Sequence, residues 1–536
     1  MKLSGSNTLT VSLATGATGN IDNLLSFEGT GNKLIAEDAN AITFPSATNC
    51  TVLAGYTGNP FGTGSPGDGA NGSVIFNTDS IYTHFSGNSP FGDSSHNVVV
   101  FNPGSLARFY TATGFEASGR TYANLEIGNA STEVDATDSG TGTFRFDNLT
   151  VNNTASQDSS LTFTGSGAGS ILIFGNIRST GTGIGAPATI ANVSLTSGSG
   201  GIQIGNGTGI TFDNSGNSRS ILFGSDATVA SGTNLSLGRI IQNNFLNPNA
   251  VLNVNGSITP NAGAPGYIVG NEQRIFTGPG PVDFTFDVGG TAAYSPLDAK
   301  NTNGAGSLTV QAKEPGLSSI TGANKLQRYW TLSGTGITTD LTFHYRGGAP
   351  AAGDVIGNEA SYVVFKFNGS LSQPPNQSVN TGNHTATVTG VNSFSSWTLA
   401  EPSAVPGTTD VSLSSGNLVI SDVNGDDTDD TLTISLNGSN VRLTDPNHTL
   451  NCGAGATTIN ANTCEVPFAS ITGSIQVNTL GGNDSLTVDL SGGDCIPDGG
   501  LSYDGGAQTT GTSFQSPAAA RVRSLTTTRT PMMAAS

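Results

Sequence analysis

The sequence predicts an all-β chain. A right-handed parallel β-helix is expected over residues 1–280, a β-sandwich-like domain over 281–402, a linker at 403–410 and a small β module over 411–511. Three observations lead there. Glycine fills 74 of 536 positions, so turns are frequent. The apolar residues, 35% of the chain, recur in short alternating runs, the pattern of half-buried strands between tight turns. A short Asn-led motif also returns at near-regular intervals in the N-terminal half, as it does when one structural unit stacks on the next.

The β-helix rests on that motif. "NLEI" begins at Asn124, "NLTV" at Asn148, "NVSL" at Asn192 and "NLSL" at Asn234. The steps fit multiples of about 22 residues, the length of one coil. In "TFRFDNLTVNN", Phe144 and Phe146 share one face, as do Leu149 and Val151, and the phase slips at Asp147-Asn148. A straight strand does not tolerate such a slip, because it turns side chains to the opposite face. A corner between two strands does. "GIQIGNGTGITFDN" repeats the arrangement, with Ile202 and Ile204, a Gly-rich corner, then Ile210 and Phe212. Residues 56–72 and 86–97 interrupt the rhythm and read as Gly/Pro-rich surface loops carrying aromatics, either partner-binding or decorative.

From 281 the strands "VDFTFDVGG", "LQRYWTLSG", "DLTFHYRGG" and "FSSWTLAEP" follow at sandwich-like spacing. Trp330 and Trp397 stand in matching "YWTL" and "SWTL" settings and read as anchors of one core. "EPSAVPGTTD" is the linker. The segment "NKLQRYWTL", the strand "LTFHY" and the closing "VNSFSSWTLAEP" resemble a module of large repeat-rich bacterial secreted or surface proteins of the adhesin or autotransporter-passenger kind. The stretch "NPGSLARFYTATGF…SGRTYANLEIG" resembles their β-helical coils. That resemblance implies export, and this chain then reads as a fragment of a longer one.

The third module carries an acidic loop. Asp422, Asn424, Asp426, Thr428 and Asp430 place oxygen ligands on alternate positions, as a hard cation requiring six to eight oxygens demands. The loop resembles the D-x-N-x-D-G-x-x-D calcium loops of dockerin-like and propeller-type repeats. It departs from them in having Asp427 where Gly makes the turn and no closing Glu. It is either a calcium site or a solvated acidic hairpin turn. A second stretch, Gly482-Asn483-Asp484-Ser485-Leu486, resembles half of a calcium-binding nonapeptide repeat. It lacks a tandem copy, so it reads as a hairpin turn, with Asp484 a lesser calcium candidate.

The net charge of -19 argues against nucleic acid as a partner. No apolar stretch approaches the ~20 residues of a membrane span, and the first residues show no apolar signal-peptide region. Cys50, Cys452, Cys464 and Cys495 form no CxxC pair, which argues against zinc. Cys452 and Cys464 are either bonded to each other or free. The five histidines read as surface or turn residues. The tail, 512–536, is Arg-bearing and acid-free and is expected to be disordered.

The expected function is therefore a non-catalytic exported structural or adhesive protein, located outside the cell or on its surface. Its partners would be cell-surface glycans or other surface proteins, and calcium its one cofactor, if any. Two alternatives stand beside it. One is a calcium-binding module of a larger secreted protein. The other is a pectinase-like β-helical enzyme, for which "NTD" at 77–79 is the nearest motif. A glycosidase needs two carboxylates in fixed geometry, and no second acidic pair follows that motif within a coil.

Overall fold

The computed structural model describes residues 1–515 apart from 6–7, 94, 155–156, 181–191, 206, 215–219, 244–246, 262–265, 350–352, 402–403, 406–408, 423–429, 447, 481–483 and 507–512. The chain is all-β. Short 3-10 turns occur at Glu359–Ser361 and Phe468–Ser470. Among the described residues, no helix is long and apolar enough to cross a membrane.

The N-terminal part is built from parallel ladders. The longest joins Lys2–Leu3, Leu24–Phe27, Asn49–Val52, Ile81–His84, Leu106–Phe109, Thr121–Ile127 and Phe144–Thr154, each parallel to the next. It continues through Ile177–Thr180, Gly209–Asn214, Asn234–Leu237 and Ser257–Thr259. A second ladder leaves the first half of Phe144–Thr154 and runs through Ile171–Ile173, Ile202–Ile204, Ala227–Val229 and Val251–Val254. A third runs from Asp135–Gly140 to Ile268–Val269. Alternate residues point inward, so one apolar cluster extends without a break from Leu3 to Ile268. Stacked strands of this kind close each other's backbone hydrogen bonds and bury faces that no single turn of chain could bury alone.

The expected period needs correction. The step between register partners varies from 18 residues (Leu106 to Asn124) to 35 (Ile177 to Phe212). Insertions between strands are absorbed outside the ladder, so the register survives without a fixed repeat. Asn124 and Asn148 are true partners. Val193, next to Asn192, pairs instead with Leu161 and Ile221 in the third ladder. The slip at Asp147-Asn148 is present, with Phe144, Phe146, Leu149 and Val151 all buried and the two polar residues between them half-exposed. The strand stays continuous there, but its neighbours divide: Phe144–Phe146 face Ile171–Ile173, and Leu149–Asn152 face Ile177–Thr180.

The aromatic insertions also differ from expectation. Tyr56, Phe61 and Phe91 are fully or almost fully buried. Phe61 meets Phe27 edge-on at 5.4 Å between centroids, and Phe91 meets Tyr122 likewise at 5.4 Å. These segments fill the core with rings, and Pro60, Gly62, Pro90 and Gly92 beside those rings are buried with them. Burial of each ring outweighs the cost of ordering its loop.

Asn271–Thr277 is the junction. It pairs parallel with Val251–Val254 and antiparallel with Leu297–Lys313. Beyond it the strands are antiparallel around a second core from Phe276 to Leu399, led by Leu297–Lys313 against Tyr329–His344. Within the expected linker, Ala404 and Val405 are buried in a small cluster with Ile320 and Phe365.

Two sheets enclose a third core from Val411 to Tyr503. One holds Thr409–Ser414, Asn417–Asp422, Ile475–Asn478 and Leu501–Asp504. The other holds Thr431–Asn437, Asn440–Thr444, Ser485–Asp489 and Ser513–Gln515. This overturns two hairpin readings. Asn417–Asp422 and Thr431–Asn437 lie in different sheets, as do Ile475–Asn478 and Ser485–Asp489. The chain therefore passes from one sheet to the other between Asp422 and Thr431, and again between Asn478 and Ser485. Ile475 and Val477 point into the core from one side, Leu486 and Val488 from the other. Of the tail expected to be disordered, Ser513–Gln515 is instead a strand paired with Ser485–Thr487, and 512 and 516–536 lie outside the described residues.

Candidate metal centre

Four strand ends converge in the third unit. Thr431–Asn437 and Asn440–Thr444 form a hairpin whose turn carries Gly438 at φ 64, a backbone that glycine adopts at little cost. The hairpin's open end sets Asp430 beside Asp445. Thr431 pairs with Ser485 in parallel, which sets Asp484 beside Asp430. Asp422 ends the neighbouring sheet's strand, opposite Thr409. His448 lies one turn past Asp445.

All of these side chains are out of solvent. Asp430 is 1% exposed, Asp445 0%, Asp484 1%, Asp422 5% and His448 9%. Backbone amides hold the carboxylates in place. Asp484 Oδ1 accepts from the Asp430 amide at 2.9 Å, and Asp484 Oδ2 from the Thr479 hydroxyl at 2.8 Å. Asp445 Oδ2 accepts from the Thr431 amide at 3.2 Å, and Asp445 Oδ1 from the His448 amide at 3.0 Å. His448 Nδ1 faces Asp430 Oδ1 at 3.7 Å and Asp445 Oδ2 at 3.5 Å.

Burial pushes the Asp430 carboxyl up to about 7, and the charges of Asp445, Asp422 and Asp484 push the same way, against His448. The His448 imidazole is raised chiefly by its contact with Asp445, with burial opposing. Several carboxylates around one imidazole leave an excess of negative charge in a place that excludes water.

Of the five expected calcium ligands, Asp422 and Asp430 converge on this corner. Asn424, Asp426 and Thr428 lie outside the described residues. Asp484, ranked behind the acidic loop, is part of the same corner. Asp445 and His448 were missed. Their signal, "TDPNHT", has meaning only once the 431–444 hairpin brings it level with Asp430.

The residues of the "NTD" motif and His84 have structural partners. Asn77 Oδ1 accepts from Asn102 Nδ2 at 2.8 Å, and Asp79 sits in a turn at φ 62. His84 is 0% exposed, between the Tyr82 hydroxyl at 2.7 Å and the Thr113 carbonyl at 3.0 Å. Burial lowers its pKa to about 4. His84, buried within a strand, therefore departs from the surface or turn placement expected of the histidines, whereas His448 is buried but lies in a bend. Cys452 and Cys464 are joined as a disulfide, while Cys50 and Cys495 are free and buried.

Comparison with protein-family models, curated proteins and solved structures finds no match to this chain.

Proposed function

We propose that this chain is a non-catalytic structural or adhesive protein, exported to the bacterial surface or beyond, whose N-terminal ladders wind as a right-handed parallel β-helix. The observation that carries this reading is the single apolar core from Leu3 to Ile268 beneath parallel ladders. That construction yields length and a broad outer face for little sequence complexity. Polar side chains at its corners are engaged in holding one rung to the next. Asn148 donates to Asn124 Oδ1 at 2.7 Å and accepts from the Asn176 amide at 2.8 Å. Asn176 Oδ1 accepts in turn from the Thr211 amide at 2.7 Å.

The Cys452–Cys464 disulfide supports export, because such bonds persist in oxidising compartments. The antiparallel unit that follows reads as a β-sandwich presented at the end of the rod. Cell-surface glycans or neighbouring surface proteins are the partners in this reading, held weakly and at many points by the Ser-, Thr- and Asn-rich outer faces. Immunoblotting of cell fractions for the parent gene product tests it. Recovery at the surface or in the medium is expected, and recovery in cytosol alone overturns it.

The pectinase-like alternative is disfavoured by the structural engagement of Asn77 and the enclosure of His84. Release of reducing sugar from any of a panel of polysaccharides would favour it instead.

A further inference from the structure

The geometry points to a divalent-cation site formed by Asp430, Asp445 and His448, which takes a transition ion of the zinc type in preference to calcium. One ligand atom from each residue lies within 4.8 Å of the others. The two imidazole–carboxylate separations, 3.5 and 3.7 Å, approach the ~3.3 Å expected between ligands placed about 2.0–2.1 Å from one tetrahedral ion.

The acidic cluster is not the only support. Asp430 Oδ2 has no hydrogen-bond partner among the described residues, in a side chain that is 1% exposed. His448 Nδ1 also lacks a bond of good geometry, in a residue 9% exposed, and it is aimed between the two carboxylates. A buried polar atom left unmade costs about 1–3 kcal/mol, and a cation bound between His448 Nδ1 and the two carboxylates gives that orphan nitrogen a partner and offsets the charge of a carboxylate whose Oδ2 has none among the described residues. The surroundings are already arranged as a ligand shell requires. The Thr431 and His448 amides fix both oxygens of Asp445, and Asp484 fixes the backbone amide of Asp430. Supporting bonds of this kind orient metal ligands.

The imidazole decides the ion. Calcium takes six to eight oxygens, whereas His nitrogen with carboxylate oxygen suits zinc and its neighbours. Missing CxxC pairs therefore say nothing against zinc here, since no thiolate is used. A bound ion would tie the hairpin 431–444 to the turn at 445–448 and close the acidic corner.

The test is calorimetric and thermal titration of the chelator-stripped full chain with zinc, manganese and calcium chlorides. One zinc per chain is expected, with a rise in melting temperature, tighter than calcium by tenfold or more. Asp445→Asn and His448→Gln should each weaken zinc binding at least tenfold. Asp410→Asn should leave it unchanged, since Asp410 pairs with Asn451 on an exposed face. To separate loss of binding from loss of fold, cobalt(II) titration of the unaltered chain supplies a second measurement. Intense visible bands of a four-coordinate ion support the site, and the weak absorption of a hydrated octahedral ion overturns it. Absence of saturable zinc binding, zinc binding indifferent to Asp445→Asn and His448→Gln, or calcium binding as tight as zinc each overturns it as well. None of these outcomes depends on where the protein resides.

Discussion

Trp330 and Trp397 are direct partners across an antiparallel strand pair, and Phe343 lies against both, at 5.1 and 5.8 Å between ring centroids. Trp330 is 0% exposed and Trp397 1%. Their indoles differ in hydrogen bonding. Trp330 Nε1 donates to the Ser295 carbonyl at 3.0 Å, while Trp397 Nε1 has no hydrogen-bond partner among the described residues and its ring lies under the Lys366 ammonium at 5.4 Å. Truncation of either to Ala should cost the middle unit about 3–5 kcal/mol. Trp397→Phe should cost less than Trp330→Phe, because only the latter orphans a buried carbonyl. Urea unfolding followed by tryptophan fluorescence of the single variants checks the order. Equal losses for the two Phe variants would refute it.

The Cys452–Cys464 bond spans 12 residues of sequence. Closing a loop of that size stabilises by about 3 kcal/mol in the chain-entropy account. Thiol titration in denaturant without reductant should find two thiols per chain, Cys50 and Cys495. The double Ser variant at 452 and 464 should lower the stability of the third unit by about that 3 kcal/mol and leave the N-terminal ladders untouched.

Asn148 tests the corner rungs. Its amide uses both ends, donating to Asn124 and accepting from the Asn176 backbone. Asn148→Ala should cost about 0.5–1.5 kcal/mol, the net worth of hydrogen bonds whose freed partners can turn to water. Asn148→Asp keeps the acceptor but sets a carboxylate oxygen against Asn124 Oδ1. Asn124 cannot simply turn over, since its Nδ2 is held by the Ser105 carbonyl at 2.8 Å. The Asp variant should therefore be destabilised at neutral pH and recover in acid as that carboxyl protonates. Melting curves across that range read the difference.

The strands and their inward faces were legible because period-two alternation is a local property. Phe144, Phe146, Leu149 and Val151 could be placed without knowing any neighbour. The Asn124–Asn148 register was legible too, since the same residue type recurs at the same corner. The fixed period was not, because ladders tolerate insertions outside the register, and "NVSL" at Asn192 copies a local pattern while pairing in another ladder. Pairing of strands far apart was also hidden. The runs "SIQV" and "SLTV" look like hairpin arms, and only their packing from two sides of one core separates them. The acidic corner was half-legible for the same reason. Asp422 and Asp430 announce themselves by spacing, whereas Asp445 and His448 arrive through hairpin geometry and Asp484 through parallel pairing.

Glu272 supplies a pH dependence at the junction between the first two cores. It lies in Asn271–Thr277, between Leu252 of the last parallel strand and Val310 of the antiparallel unit, and is 0% exposed. Burial, with the nearby charge of Asp287, holds its carboxyl well above the usual carboxylate range. Asp287 is itself raised to about 6, chiefly by burial, against the hydrogen bond that Tyr294 donates to it at 2.6 Å. Asp298, which adds to the Asp287 shift, is paired with His344 at 3.0 Å. Both acids keep a proton in the folded state that the unfolded chain releases near pH 4. Folding then binds protons, so stability is full below the ordinary carboxylate range and falls as pH rises through the folded values. Each group held protonated in this way contributes a slope of up to about 1.4 kcal/mol per pH unit. Glu272→Gln removes one such ionisation. It should flatten the decline above pH 5 and raise stability at neutral pH, as read from denaturant midpoints between about pH 4 and 8. A variant whose midpoint falls with pH as steeply as the parent would show that Glu272 does not carry the effect.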